Sequence, residues 1–179
     1  MNSVATARQT GTAVFFAQPY SLDAKGFYFD SHEDYARQAA KCRDRFGHHV
    51  EEFEIQFIDG PDGDLYRAAG LDQSTLHWLD DLESLDDWQK PAVFFLLDNG
   101  MVADVGEAIA KADEVCLSSS SLQDAATDLF DDCYAHQIPE ALRVYIDYEA
   151  FARDLRLGGD FVEFDYQGET FTCTNASGL

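Results

Sequence analysis

The chain has 179 residues, 46% of them hydrophobic and 13% aromatic, and its 34 acids stand against 12 Lys and Arg for a formal charge of −22. A protein that grips phosphates needs clustered cations to displace counterions, so this balance excludes a free nucleic-acid binder. The apolar and aromatic content excludes a disordered acidic tail and provides for one folded body or a few small subdomains.

Thr12 to Ala17 (TAVFFA) reads as a buried strand, Gly26 to Asp30 (GFYFD) as a second, and Glu52 to Ile58 alternates apolar and polar residues as a third. A helix is predicted between the last two. Ser31 is a good N-cap, Glu33 and Asp34 suit the first turn, Tyr35, Ala39, Cys42 and Phe46 form the apolar stripe, and His48-His49 ends it. From Leu65 to Ala112 the pattern is helical, with Asp72 or Ser74 as caps and Leu76, Trp78, Leu79, Leu82 and Leu85 as apolar surface. Pro91 suits the first turn of a helix that Asn99-Gly100 ends, and Asp104 caps another over Val105 to Lys111.

The clearest helix runs from Ser121 to His136. Leu122, Ala125, Ala126, Leu129, Phe130, Cys133 and Tyr134 repeat at the spacing of one helical face. Pro139 opens a short helix toward Tyr145, another runs from Tyr148 to Leu157 and stops at Gly158-Gly159, and Phe161 to Tyr166 pairs with Thr170 to Thr174 as a hairpin. The fold class is α+β, in three parts: a three-stranded sheet with one helix over 1–59, short helices over 60–103, and an acidic helix plus hairpin over 104–179.

The charge is regional. The first part carries 9 acids and 6 bases, the second 9 and 2, the third 16 and 4, giving −3, −7 and −12. A compact chain of this length is roughly 40 Å across, and duplex DNA of that length carries about 24 phosphates, close to the charge seen here.

On the Ser121 helix, Asp124, Asp128, Asp131 and Asp132 fall within roughly a 100° arc opposite the apolar face. Like charges at i, i+4 cost about 0.2–0.5 kcal/mol per pair, and no cation on that face relieves them. A solvated helix face is the simple reading of one such stripe, but the pattern recurs. Asp80, Asp81, Glu83, Asp86 and Asp87 crowd one segment, Asp104, Glu107, Asp113 and Glu114 a second, and Asp147, Glu149, Asp154, Asp160, Glu163 and Asp165 a third. Six bases follow Asp59 to pair 25 acids.

Conventional chemistry finds little support. Asp62-Gly63-Asp64 begins like a calcium loop, but Tyr66 occupies the fifth position and no glutamate closes it, so it reads as a turn. His32, His48, His49, His77 and His136 lack metal-ligand spacing, and no phosphate-binding glycine loop or nucleophile elbow occurs. Ser118 to Ser121 reads as a polar loop. No catalytic residue, metal or cofactor is expected. Cys42, Cys116, Cys133 and Cys173 are scattered as reduced thiols would be. No stretch approaches the roughly 18 apolar residues of a membrane span, and Met1 to Thr12 lacks a targeting pattern, so a soluble, cytoplasmic chain is expected.

The run Ile138-Pro139-Glu140-Ala141-Leu142-Arg143, then Tyr145-Ile146-Asp147-Tyr148-Glu149-Ala150-Phe151-Ala152-Arg153-Asp154-Leu155 and Leu157-Gly158-Gly159-Asp160-Phe161, resembles the C-terminal signature of the ArdA-type antirestriction proteins of mobile genetic elements. Val14-Phe15-Phe16, Gly26-Phe27-Tyr28-Phe29-Asp30 and Phe53-Glu54-Ile55-Gln56 are similar more loosely. Residues 104–129 depart from the commoner pattern, with Cys116-Leu117-Ser118-Ser119-Ser120 standing there instead.

The resemblance implies an elongated, non-enzymatic, dimeric mimic of bent B-form DNA that occupies the DNA groove of type I restriction-modification enzymes. Its 18 phosphate-mimicking candidates are the four aspartates of the Ser121 helix and the acids of the three crowded segments other than Asp165. The competing expectation is an acidic adaptor that binds one specific basic partner through a local patch.

Overall fold

The computed structural model describes residues 11–179. Met1 to Thr12, read for targeting signals, therefore lies almost wholly outside the described residues. The chain divides into two compact units, Met1–Ile109 and Ala110–Leu179. The first takes in both the N-terminal sheet and the central short helices.

In the first unit, β1 (Val14–Pro19) is the middle strand of an antiparallel sheet, flanked by β2 (Phe27–Phe29) and β3 (Phe53–Asp59). Period-two alternation turns Phe15 and Ala17 inward, and Phe15 sits opposite both Phe29 and Phe57. Gly26 makes the entry to β2 possible, since a Cβ there would lie 2.3 Å from the Phe16 ring and 2.6 Å from the Ala17 carbonyl.

Helix α1 (His32–Ala39) begins as expected, with the Ser31 hydroxyl accepting the Asp34 N–H, and buries Tyr35 against the rings of Phe27, Phe29 and Phe53. It ends earlier than expected. Cys42 and Phe46 lie beyond it, Phe46 is exposed, and His48-His49 belongs to a tight loop closed by an Arg43–His49 bridge. The reason is local: Asp44 Oδ1 accepts the N–H groups of Phe46 and His48, both at 2.8 Å, a turn that competes with helix.

Helices α2 (Gly63–Ala69), α3 (Leu79–Ser84), α4 (Gln89–Asp98) and α5 (Val105–Lys111) follow. Leu65, Leu76, Leu79, Leu82, Val93, Phe95 and Leu96 are fully buried and form the core beneath them. The Asp72 carboxylate accepts the Ser74 and Thr75 N–H groups, Pro91 sits in the first turn of α4, and Gly100 leaves that helix with φ +62°. Asp62 supplies the turn before α2 with φ +61°, its carboxylate held by Lys90 at 2.6 Å, while Asp64 pairs with Arg67.

In the second unit, α6 (Leu122–Cys133) packs on α8 (Tyr148–Gly158) through Leu122, Ala125, Ala126, Ala152 and Phe161, with Leu129, Phe151 and Leu155 half-buried around them. The inward face of α6 is shorter than the apolar spacing predicts. Cys133 and Tyr134 are exposed where the helix ends at Cys133, with the Phe130 and Phe151 rings against that of Tyr134. Helix α7 (Glu140–Arg143) is a single turn.

Strand β4 (Leu117–Ser118) and the hairpin of β5 (Val162–Tyr166) and β6 (Glu169–Cys173) form an antiparallel sheet in the order β4-β6-β5. Gln167 and Gly168, with φ +52° and +78°, make the two-residue turn that suits strand twist. The serine run is thus partly a strand: Ser118 pairs with Thr172, and the Thr172 hydroxyl donates to the Ser120 carbonyl at 2.9 Å. The architecture is α+β, and no helix among the described residues is long and apolar enough to cross a membrane.

Candidate functional site

The acidic residues of the first unit are presented by short helices whose other sides are anchored in the core. Leu79 and Leu82 are buried, which turns Asp80 and Asp81 outward in the first turn of α3, where negative charge complements the helix dipole. Asp86 is exposed but fixed, its Oδ1 accepting the N–H groups of Trp88 and Gln89 at the head of α4, both at 2.8 Å. Asp87 is exposed beside it.

Glu83 differs from its neighbours because it is half-buried. Burial pushes its carboxyl above the ordinary value of 4.5, nearby Asp80, Asp30 and Asp62 push the same way, and Lys90 opposes them. The fold thus brings Asp30 and Asp62 to this cluster from distant points in the chain. Neither stood among the sequence candidates, since only the return of α3 and α4 to the sheet places them there.

Asp104 and Glu107 form a reciprocal cap on α5. Asp104 Oδ1 accepts the Glu107 N–H, and Glu107 Oε2 accepts the Ala103 N–H, each at 2.8 Å. Asp113 and Glu114, just beyond α5, are exposed.

In the second unit, Asp124, Asp128, Asp131 and Asp132 are all exposed on α6, opposite Leu122, Ala125 and Ala126. Asp124 accepts the Ser121 hydroxyl at 2.7 Å, and Asp131 accepts the Tyr148 hydroxyl of α8 at 2.7 Å. Among the described residues, no ion pair engages any of these four. Tyr148 in turn keeps its proton to higher pH, chiefly because its hydroxyl donates to the Asp131 carboxylate.

The remaining candidates have divided duties. Asp147 caps α8 by accepting the Ala150 N–H at 2.9 Å, and Asp160 accepts the Ser177 hydroxyl at 2.6 Å. Glu163 on β5 accepts the Leu122 N–H at 2.6 Å, so it caps α6. Glu149 is exposed in the first turn of α8, and Asp154 is exposed with Arg153 at 3.8 Å. Asp124 and Glu163 therefore both sit at the head of α6, where unsatisfied N–H groups tolerate negative charge.

Besides the Arg153–Asp154 pair, ion pairs engage acids outside the candidate set. Arg37, Arg45 and Arg67 pair with Asp34, Asp23 and Asp64, and Lys90 with Asp62, none of which belongs to the candidate set. Among the described residues, no group of three His, Cys, Asp or Glu side chains is placed to hold a metal ion. Carboxylates fixed by backbone N–H groups and left open to solvent can do one thing well: meet fixed cations on another macromolecule.

A comparison with individually curated proteins found no match. Residues 26–168, four-fifths of the chain, match the family described as Antirestriction protein (ArdA). That span includes both units' acidic helices and the first strand of the hairpin, and the chain belongs to the ArdA family of antirestriction proteins.

Proposed function

We propose that the chain is a DNA mimic that blocks DNA binding by type I restriction-modification enzymes, entering the DNA groove of their methyltransferase core and acting by occupancy rather than catalysis. The observation that carries this reading is the α6 face, where four exposed aspartates stand without a counter-cation among the described residues. The acids of α3 and the start of α4, of α5 and its C-terminal end, and of α8 with its flanks extend the same surface chemistry. Capped and hydrogen-bonded carboxylates are preorganised, so the repulsion among them is already met during folding, and a cationic groove relieves it on binding. Such contacts give charge-assisted hydrogen bonds and fast, salt-sensitive association.

The dimer belongs to the same proposal. Leu142, Val144 and Tyr145 are 54%, 80% and 80% exposed, and the segment from Ile138 to Ile146 holds one acid and one base. It is a neutral apolar stretch in a strongly acidic unit, the segment of that unit where two such chains repel least.

The test is displacement of labelled duplex from a purified type I methyltransferase core at two salt concentrations. Stoichiometric displacement that weakens at higher salt is expected. A variant with Asn at Asp80, Asp81, Asp86, Asp87, Asp124, Asp128, Asp131 and Asp132 should lose it. Unchanged inhibition and salt dependence in that variant would overturn duplex mimicry, and failure to displace DNA from several cores would favour a local acidic adaptor.

A further inference from the structure

Five of the 12 Lys and Arg fall between residues 25 and 45, against the sign of the whole chain. Four of them, Lys25, Lys41, Arg43 and Arg45, line one open cavity of about 510 Å³, with the half-buried Phe27 as an apolar wall. That volume lies in the range of small-molecule sites, roughly 300–1,000 Å³.

The two carboxylates in the wall are already engaged. Asp23 holds Arg45 at 3.1 Å, and Asp44 is turned into its own loop by the Phe46 and His48 N–H groups and the His48 ring. Arg43 is oriented by the carbonyls of Ala40 and Cys42, to which Nη1 donates at 3.0 and 2.8 Å, leaving the rest of its guanidinium fork available. That contact accounts for Arg43 as a cation at the end of α1. It does not account for Lys25 or Lys41, which are exposed and make no side-chain hydrogen bond or ion pair among the described residues.

The wall is also stiff. The Arg43–His49 bridge closes the loop, and the Arg45 N–H donates to the Asp23 carbonyl at 3.0 Å, tying it to the turn that precedes Lys25. Residues 1–59 carry only −3, so the repelling field of the chain is weakest here. Cations held together in a concave site without enough counter-charge favour a ligand with several negative charges close together, which an oligophosphate supplies and a monoanion does not.

We infer that this cavity binds a small molecule bearing an oligophosphate chain, with Lys25, Lys41 and Arg43 on the phosphate oxygens and Phe27 against the group that carries them. None of the acidic candidates lines this cavity, and its failure would leave the proposed function untouched.

The experiment is calorimetric titration of the full chain with inorganic triphosphate and, separately, with ATP. Saturable one-to-one binding is expected, weakened at least about tenfold by K25Q/K41Q and retained by K25R/K41R, with the unfolding midpoint of both variants unchanged. Equal binding of the two probes assigns recognition to the phosphate chain, and tighter ATP binding adds the Phe27 wall. The proposal falls if neither probe saturates or if K25Q/K41Q binds as well as the parent. It also falls if the lysine variants abolish self-association without any triphosphate binding, since the patch would then receive an acidic protein surface.

Discussion

Glu163 on β5 and Leu122 at the start of α6 are joined by a 2.6 Å hydrogen bond from the Leu122 N–H to the Glu163 carboxylate across 41 residues of sequence. A residue expected to imitate a phosphate thus also fastens the acidic helix to the sheet. Glu163→Ala should destabilise the second unit by about 1 kcal/mol, the usual effect of a lost cap, whereas Glu149→Ala should stay within about 0.5 kcal/mol. Urea denaturation followed by circular dichroism checks this, and equal effects would mean the cap contributes nothing.

Asp128 stands four residues from both Asp124 and Asp132 on the exposed face of α6. Asp128→Asn removes these two i, i+4 like-charge pairs and the i, i+3 pair with Asp131, and should raise stability by about 0.5 kcal/mol while weakening inhibition. Thermal melts and the displacement assay, run on the same preparation, read both effects. A variant that loses stability would show that the aspartate makes a favourable contact instead.

The folded state favours the protonated form of Glu83, because burial and the charges of Asp80, Asp30 and Asp62 outweigh Lys90. Its raised folded pKa gives a destabilisation that is complete above that pKa and vanishes below the unfolded value near 4.5. Glu83→Gln should therefore melt higher than the parent at pH 7, and the difference should shrink as pH falls toward 4.5. A gap that stays constant with pH would remove charge as its cause.

Tyr66 has its hydroxyl proton held well beyond the ordinary phenol range, first by burial and then by the charges of Glu83 and Asp62. The stabilisation linked to that proton is fully present below pH 10 and is lost as pH rises above it. Tyr66→Phe should flatten the alkaline fall in melting temperature. An unchanged alkaline profile would place that loss on other groups.

Self-repulsion at −22 should be relieved by counterions. The melting temperature should rise between very low and moderate salt, since the Debye length shortens from about 30 Å at 0.01 M to about 10 Å at 0.1 M. A midpoint that fell with added salt would mean that favourable ion pairs, not repulsion, dominate the electrostatics.

Much of the secondary structure was legible because it rests on local chemistry. The Ser31 and Asp104 caps and the Asn99-Gly100 stop each need only a few neighbouring residues, and the sequence places them correctly. The length of α1 was not legible, because the Asp44 turn competes with a continued apolar spacing through Cys42 and Phe46. Nor was β4, whose two residues have no period and exist as a strand only through β6.

The α6 aspartates share a face by helical arithmetic, so their exposure followed from sequence alone. What each carboxylate touches did not, since Asp131 meets Tyr148, Glu163 meets Leu122, and Asp30 and Asp62 meet Glu83 only after distant segments are packed together. Composition and helical period determine the sign and facing of the charge, because both are properties of consecutive residues. Tertiary structure decides which charges are anchored, which are half-buried, and where the few cations gather, because those depend on contacts that no local spacing encodes.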